Sequence, residues 1–338
     1  MRTTAIKLTL AAVCFLPFVG CTDEEVVDDD GEEAYTEEVD LVEEDVPVVD
    51  DAEPFAAGTV NNSPDFLVVY NNNIENLVTC TGNHWDKLFA YVKAQSKTPD
   101  IFIVQQISNA AQLKALYTRM TNELAGSYTG VIAIANPGSM GYPEGTCAAN
   151  KNRQTNAVIY RTDRFTYEAT TRWRSDAPKN KTGACQNLVP TSSSQDRVEN
   201  VAIRLYDKVA KQRVTAAAIH WPTGTWAGPD CADENMREAN AAVDSLGGTL
   251  KIVAGDANTS KGSQGWWNDA IADGFRDPIA ETCPSSGCPD STSTLGSRRI
   301  DYMLVKGGHG FSGAKTISES STGGKYSDHR ALRANVKY

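Results

Sequence analysis

A chain of 338 residues, 41% of them hydrophobic and 22% charged, has room for one large domain or two ordinary ones, and its net charge of −11 would by itself argue against a polyanionic partner. That exclusion fails because the acid is concentrated: residues 23–53 hold seventeen Asp or Glu and no Lys or Arg. Without that run, Arg2 and Lys7, the remainder carries 30 basic against 26 acidic side chains, a mildly basic balance that a polyanion tolerates.

In chain order, Arg2 and Lys7 precede an apolar stretch from Leu8 to Val19 and then Gly20-Cys21. This reads as an export signal over residues 1–21 and resembles a bacterial lipoprotein signal, with Cys21 as the lipid attachment point. The expected location is therefore the bacterial cell envelope, with the chain either secreted or held to the membrane through its N-terminal lipid. Residues 22–57 repel one another and hold too little apolar area to offset ordering entropy, so they read as a disordered acidic tether. Residues 58–338 read as one folded domain, expected to be monomeric.

Within it, strand-like runs recur around 65–72, 100–106, 129–135, 155–161, 198–207, 212–220, 249–255, 298–305 and 330–337. Helical periodicity predicts helices over Trp85–Ala94, Ala110–Leu124, Asp233–Leu246 and Trp266–Ala272. The second places Leu113, Leu116, Tyr117, Met120 and Leu124 on one stripe, suited to packing on a sheet. The Gly-, Ser- and Thr-rich stretches 172–196, 284–297 and 319–325 read as loops. The pattern fits an α/β four-layer sandwich, two mixed β-sheets packed face to face with helices outside. Leaving aside Cys14 and Cys21, six cysteines remain: Cys80, Cys147, Cys185, Cys231, Cys283 and Cys288. An even number in an exported chain favours disulfides, with the pairing open, over a zinc site, for which the ligand spacing is missing.

Several apolar runs end in groups suited to phosphoester chemistry. Asn73-Ile74-Glu75 follows Phe66–Val69, His220 follows Val214–Ile219, and Gly255-Asp256-Ala257-Asn258 follows Leu250–Ala254. Arg299-Ile300-Asp301-Tyr302 opens another run, and Ser327-Asp328-His329 precedes the last. In this order these segments resemble the endonuclease/exonuclease/phosphatase superfamily, the deoxyribonuclease-I-like hydrolases, over about residues 65–338.

Phosphodiester hydrolysis needs charge neutralised on the phosphoryl oxygens, a water deprotonated in line and a stabilised leaving oxygen. Asp256 is the candidate to orient or deprotonate the water, with Asn258 donating to the phosphoryl oxygen. His329 and His220 are the imidazoles at the phosphate, and the resemblance implies that Asp301 orients His329. Glu75, Asp328 and Asn73 offer oxygens to Mg²⁺, with Mn²⁺ or Ca²⁺ as alternatives. One position departs from the family: Gln106 stands where the resemblance implies a metal-binding glutamate, so this ligand brings an amide oxygen without charge. Gln106→Glu is therefore informative.

A nucleic-acid substrate is favoured by Arg153, Arg161, Arg164, Arg172, Arg174, Arg298, Arg299 and Lys325. The alternative, a phospholipid phosphodiesterase or phosphatase, rests on Trp221, Trp226, Trp266 and Trp267 as residues able to enter a membrane interface. A non-catalytic binding protein is the third reading, motivated by Gln106.

Overall fold

The structure is a computed structural model that describes residues 58–75, 84–139, 153–175, 193–222, 231–262, 265–282 and 292–338. The expected export signal, the expected tether and five of the six remaining cysteines lie outside these residues. Cys231, the one cysteine among them, is disulfide-bonded.

Among the described residues, twelve strands form two mixed six-stranded sheets. The first holds β1 (Phe66–Asn73), β2 (Ile101–Ile107), β3 (Tyr128–Ile132) and β4 (Thr155–Arg161), together with β11 (Gly310–Thr316) and β12 (Leu332–Lys337), in the order β11-β12-β1-β2-β4-β3. The second holds β5 (Phe165–Arg174), β6 (Glu199–Asp207), β7 (Gln212–His220), β8 (Leu250–Asp256), β9 (Phe275–Arg276) and β10 (Asp301–Lys306), in the order β5-β6-β7-β8-β10-β9. The helices are α1 (His84–Lys93), α2 (Ala110–Glu123), α3 (Ala232–Leu246), α4 (Trp266–Ala272), α5 (Pro278–Thr282) and α6 (Glu319–Thr322).

Strand alternation explains the layers. Leu67 and Val69 of β1 and Ile101 and Ile103 of β2 meet Val214, Ala216 and Ala218 of β7 and Ile252 and Ala254 of β8 in the core between the sheets. The alternate residues face outward: Val68, Tyr70, Phe102 and Val104 pack under Trp85, Leu88, Leu113, Leu116 and Met120 of α1 and α2. Ala217, Ile219 and Val253 pack under Met236, Ala239 and Val243 of α3. Strands buried on both faces read as near-continuous apolar runs, which is why these were legible.

Each sheet has one parallel pair, β1 with β2 and β7 with β8, and each pair is linked through a helix, α1 and α3, as a parallel connection requires. The carboxyl ends of such a pair open a crevice that neighbouring strands do not fill. β10 is antiparallel to β8 and β12 to β1, so their amino ends lie at that same rim. Strand ends and strand beginnings thus converge at one edge of the sandwich.

Two buried arginines correct the basic-surface expectation. Arg161 and Arg164 are 1% and 0% exposed and pair with the buried Asp100 at 2.8 and 3.2 Å, and Arg164 also with Asp207 at 2.7 Å. Burial pushes the Asp100 carboxyl up to about 6 even against the pull of both guanidinium groups. These arginines join the sheets and do not face a substrate. The stretch 172–196 is also not all loop: β5 runs to Arg174 and a 3₁₀ turn spans Ser193–Val198. Likewise α6 lies inside 319–325. Strands β5, β9 and β11 were not anticipated.

Candidate active site

Asp256 ends β8 with its side chain on the inner face, 1% exposed. Three nitrogens surround one of its oxygens. The Asn73 amide, from the end of β1, donates to Oδ2 at 3.2 Å, while His220 Nε2 and His329 Nε2 stand 3.6 and 3.8 Å from the same atom. Oδ1 accepts the Asn258 backbone N–H at 2.8 Å. Strand register produces this convergence: His220 pairs with Asp256 across the parallel ladder and Asp301 with Asp256 across the antiparallel one.

His329 Nδ1 lies 2.8 Å from Asp301 Oδ2. Burial alone would strip the proton from His329, but Asp301 and then Asp256 outweigh it and hold the imidazole's proton affinity well above the ordinary value. His220 is the opposite case: burial, with Arg197 and His329 nearby, drives it well below the usual range, so it is neutral. Burial, and next the Asp301 charge, push Asp256 up to about 7. Two imidazoles of opposite charge state therefore flank a carboxyl that exchanges its proton near neutrality.

Beside this group, Glu75 accepts the Asp328 N–H at 2.9 Å through Oε2. Ser327 Oγ donates to the Asn73 carbonyl at 2.8 Å and accepts the His329 N–H at 3.1 Å, which fixes the Ser-Asp-His turn against β1. Burial, and next the Asp328 carboxylate, push Glu75 up to about 8. No Lys or Arg is ion-paired with either acid among the described residues. Two adjacent hard-oxygen ligands with no Lys or Arg partner, and with His329 Nε2 no nearer than 3.8 Å to Asp328 Oδ1, fit a divalent ion such as Mg²⁺. Asp256, Asp301 and His329 also lie close enough together to hold a metal, but the short His329–Asp301 bond ties up one ring nitrogen and one carboxylate oxygen, which suits proton handling better than ligation.

The remaining expected residues lie as follows. Asn258 donates its side-chain amide to the Trp221 carbonyl at 2.8 Å, so one of its two amide protons is already committed to the loop and at most one is left for a phosphoryl oxygen. Asn73 Oδ1 accepts the Glu75 N–H at 3.3 Å, so Asn73 acts on Asp256 and the turn more directly than on a cation. Gln106 accepts from Gln154 Nε2 at 3.2 Å, at a bulge between β2 and β4. Trp221 and Trp266 are both 0% exposed and stack edge to face 5.3 Å apart. They are core, which removes them from any membrane interface; Trp226 lies outside the described residues. Of the basic residues, Arg172 donates to the Ile132 and Ala133 carbonyls, Arg174 pairs with Asp196 and Arg299 with Asp277. Arg298 and Lys325 are exposed, beside the Asp301 and Ser327–His329 segments.

Sequence reasoning missed Thr294, Asn200 and the Asn71–Gln105 pair. Asn200 Oδ1 takes the His220 N–H at 2.9 Å, and Gln105 donates to Asn71 at 2.9 Å within the buried layer below the site. Each acts through a backbone or amide bond, for which residue type and spacing give no cue.

No family model and no curated protein matches the sequence. Solved structures do. The chain is similar to the human Nocturnin catalytic domain with bound sulfate anion, at 16% identity and a TM-score of 0.58, over 81% of this chain and 94% of that one. It is similar to an endonuclease/exonuclease/phosphatase from Bacteroides vulgatus, at 14% identity and 0.57, over 80% and 98%. A third match is D. rerio TDP2 complexed with single strand DNA product, at 12% identity and 0.53, over 81% and 99%. The fold is that of the endonuclease/exonuclease/phosphatase proteins. At these identities an endonuclease/exonuclease/phosphatase fold fixes the scaffold and the edge at which its strands end, and the chemistry rests on this chain's own side chains.

Proposed function

We propose that this chain is a divalent-metal-dependent phosphodiesterase whose substrate is a nucleic acid. The observation that carries the reading is Asp256 Oδ2 lying 3.6 and 3.8 Å from the Nε2 atoms of His220 and His329, with the Glu75–Asp328 pair alongside. Asp256, titrating near 7, accepts the proton of the attacking water. His329, kept charged by Asp301, donates to a phosphoryl oxygen, and neutral His220 offers a second polar contact without repelling His329. Asn73 keeps Asp256 aimed. A cation held by Glu75 and Asp328, with Gln106 as a neutral neighbour in the family pattern, would supply charge neutralisation on the phosphate.

A nucleic acid is favoured over a phospholipid because Trp221 and Trp266 are interior while Arg298 and Lys325 are exposed beside the site. The DNA in the TDP2 complex supports the same choice by analogy of fold. We include export in the proposal, on the strength of residues 1–21 and the oxidised Cys231. The deciding experiment offers the purified protein plasmid DNA, RNA, sphingomyelin and phosphoinositides with Mg²⁺, Mn²⁺ or Ca²⁺. Cleavage of DNA or RNA is expected; turnover of a phospholipid with both nucleic acids left intact would overturn the nuclease reading.

A further inference from the structure

The His329–Asp301 pair joins two segments that no secondary structure holds together. Asp301 is the first residue of β10, and His329 lies in the turn before β12, in the other sheet. A 2.8 Å bond between them needs something to fix both backbones. One residue touches both. Thr294, 0% exposed, accepts the Ile300 and Asp301 N–H groups through its hydroxyl at 3.1 and 3.0 Å. Its carbonyl accepts the Arg330 N–H at 2.7 Å, next to His329. Its own N–H donates to the Arg298 carbonyl at 2.8 Å, and the adjacent Leu295 forms an isolated bridge with His329.

We propose that Thr294 is a positioning residue, a clamp that works beside the Ser327 contact to His329 and sets the distance and angle between Asp301 and His329. The hydroxyl is what matters, because among the described residues it is the acceptor that two consecutive buried N–H groups share, whereas the carbonyl contact would survive any substitution. Valine has the same shape but leaves both N–H groups without an acceptor, and each then seeks another partner by moving the start of β10. Serine keeps the oxygen and loses only a methyl group. The role in turnover rests on the phosphodiesterase reading above; the role in holding the pair does not.

The test therefore reads the pair directly as well as the reaction. In the full chain, the His329 Nδ1 proton shared with Asp301 gives a far-downfield proton resonance, assigned by its loss in Asp301→Asn. Thr294→Val should abolish that resonance or move it upfield, and lower kcat by roughly tenfold or more with KM changed by less than about twofold, the pattern of a contact used in the transition state. Thr294→Ser should restore both. If Thr294→Val does not fold, Thr294→Cys, a weaker acceptor of similar size, takes its place. A folded variant without the hydroxyl that keeps the resonance unchanged overturns the proposal. A resonance lost in valine or cysteine and regained in serine, in a protein that cleaves no phosphodiester, leaves the clamp standing and removes the phosphodiesterase reading alone.

Discussion

Glu75, Gln106 and Asn258 share a backbone oddity: each sits at positive φ, 52°, 57° and 50°, and with Lys211 they are the only non-glycine residues to do so among those described. Left-handed backbone at a side-chain-bearing residue costs on the order of 1 kcal/mol and is kept where surrounding structure over-determines it. Three such residues at one rim mark it as a built site. Asp256 stores a second cost. Its folded value of about 7 lies above the roughly 3.9 of an unfolded aspartate, so its stabilising contribution is complete below about pH 4 and is lost as pH rises through 7. Asp256→Asn should therefore match the parent's melting temperature near pH 4 and exceed it progressively toward pH 8, while turnover falls by roughly a thousandfold. Calorimetry at both pH values checks the first and a cleavage assay the second; an Asn variant less stable at pH 8 than the parent would show that Asp256 is not a strained carboxyl. Gln106→Glu preserves the acceptor for Gln154 and adds charge, so the Mg²⁺ concentration giving half-maximal activity should fall several-fold. An unmoved midpoint means that the Gln106 side chain takes no part in holding the ion.

At the scale of elements, the two parallel pairs made both the fold and the site readable. A strand buried on both faces leaves an apolar run, and the polar residue that ends it marks the crevice; Asn73, His220 and Asp256 were found in that way. Of the strands without that burial, β3 was found and β5 and β11 were not. β11, Gly-Phe-Ser-Gly-Ala-Lys-Thr, is an edge strand with a register shift between Ser312 and Lys315, so its composition reads as a turn. β5 shows mostly half-buried or exposed side chains and follows no clean alternation. Thr294 was invisible for another reason: its work is done on main-chain N–H groups, which carry no residue identity. Gly255 shows the opposite, a residue whose type is dictated by its element. It sits at φ 153°, and a Cβ there would lie 1.8 Å from the Ile219 carbonyl oxygen of the parallel partner. Gly255→Ala should part β8 from β7 just where His220 and Asp256 meet, giving loss of activity together with a destabilisation of about 3 kcal/mol or more, measured by denaturant unfolding. A stable, active alanine variant would mean that the β7–β8 register at that end is not as described.

Charge decides matters at the scale of the whole molecule, because the acidic run lies in residues 23–53 and the mildly basic remainder carries the site. Arg161 and Arg164 are spent on Asp100 and Asp207, which leaves exposed residues such as Arg298 and Lys325 to meet a phosphate backbone. Few such contacts imply a modest salt slope: DNA affinity should fall roughly tenfold or more between about 50 and 200 mM monovalent salt. Arg298→Gln should lower that slope by about one counterion and weaken binding to all sequences alike. The seventeen acids of residues 23–53 carry the same sign of charge as that polymer, and like charges repel over a Debye length of about 10 Å at 0.1 M salt. Deleting residues 23–53 while keeping everything else should therefore raise DNA affinity at low salt and leave it unchanged at high salt, as measured by fluorescence anisotropy on a labelled single strand. A phospholipid substrate would give a different pattern, since apolar transfer into an interface is not weakened by modest salt. DNA binding undetectable even at about 50 mM salt without the acidic run, in a protein that hydrolyses a zwitterionic phospholipid, would move the substrate from nucleic acid to lipid while leaving the Asp256 site in place.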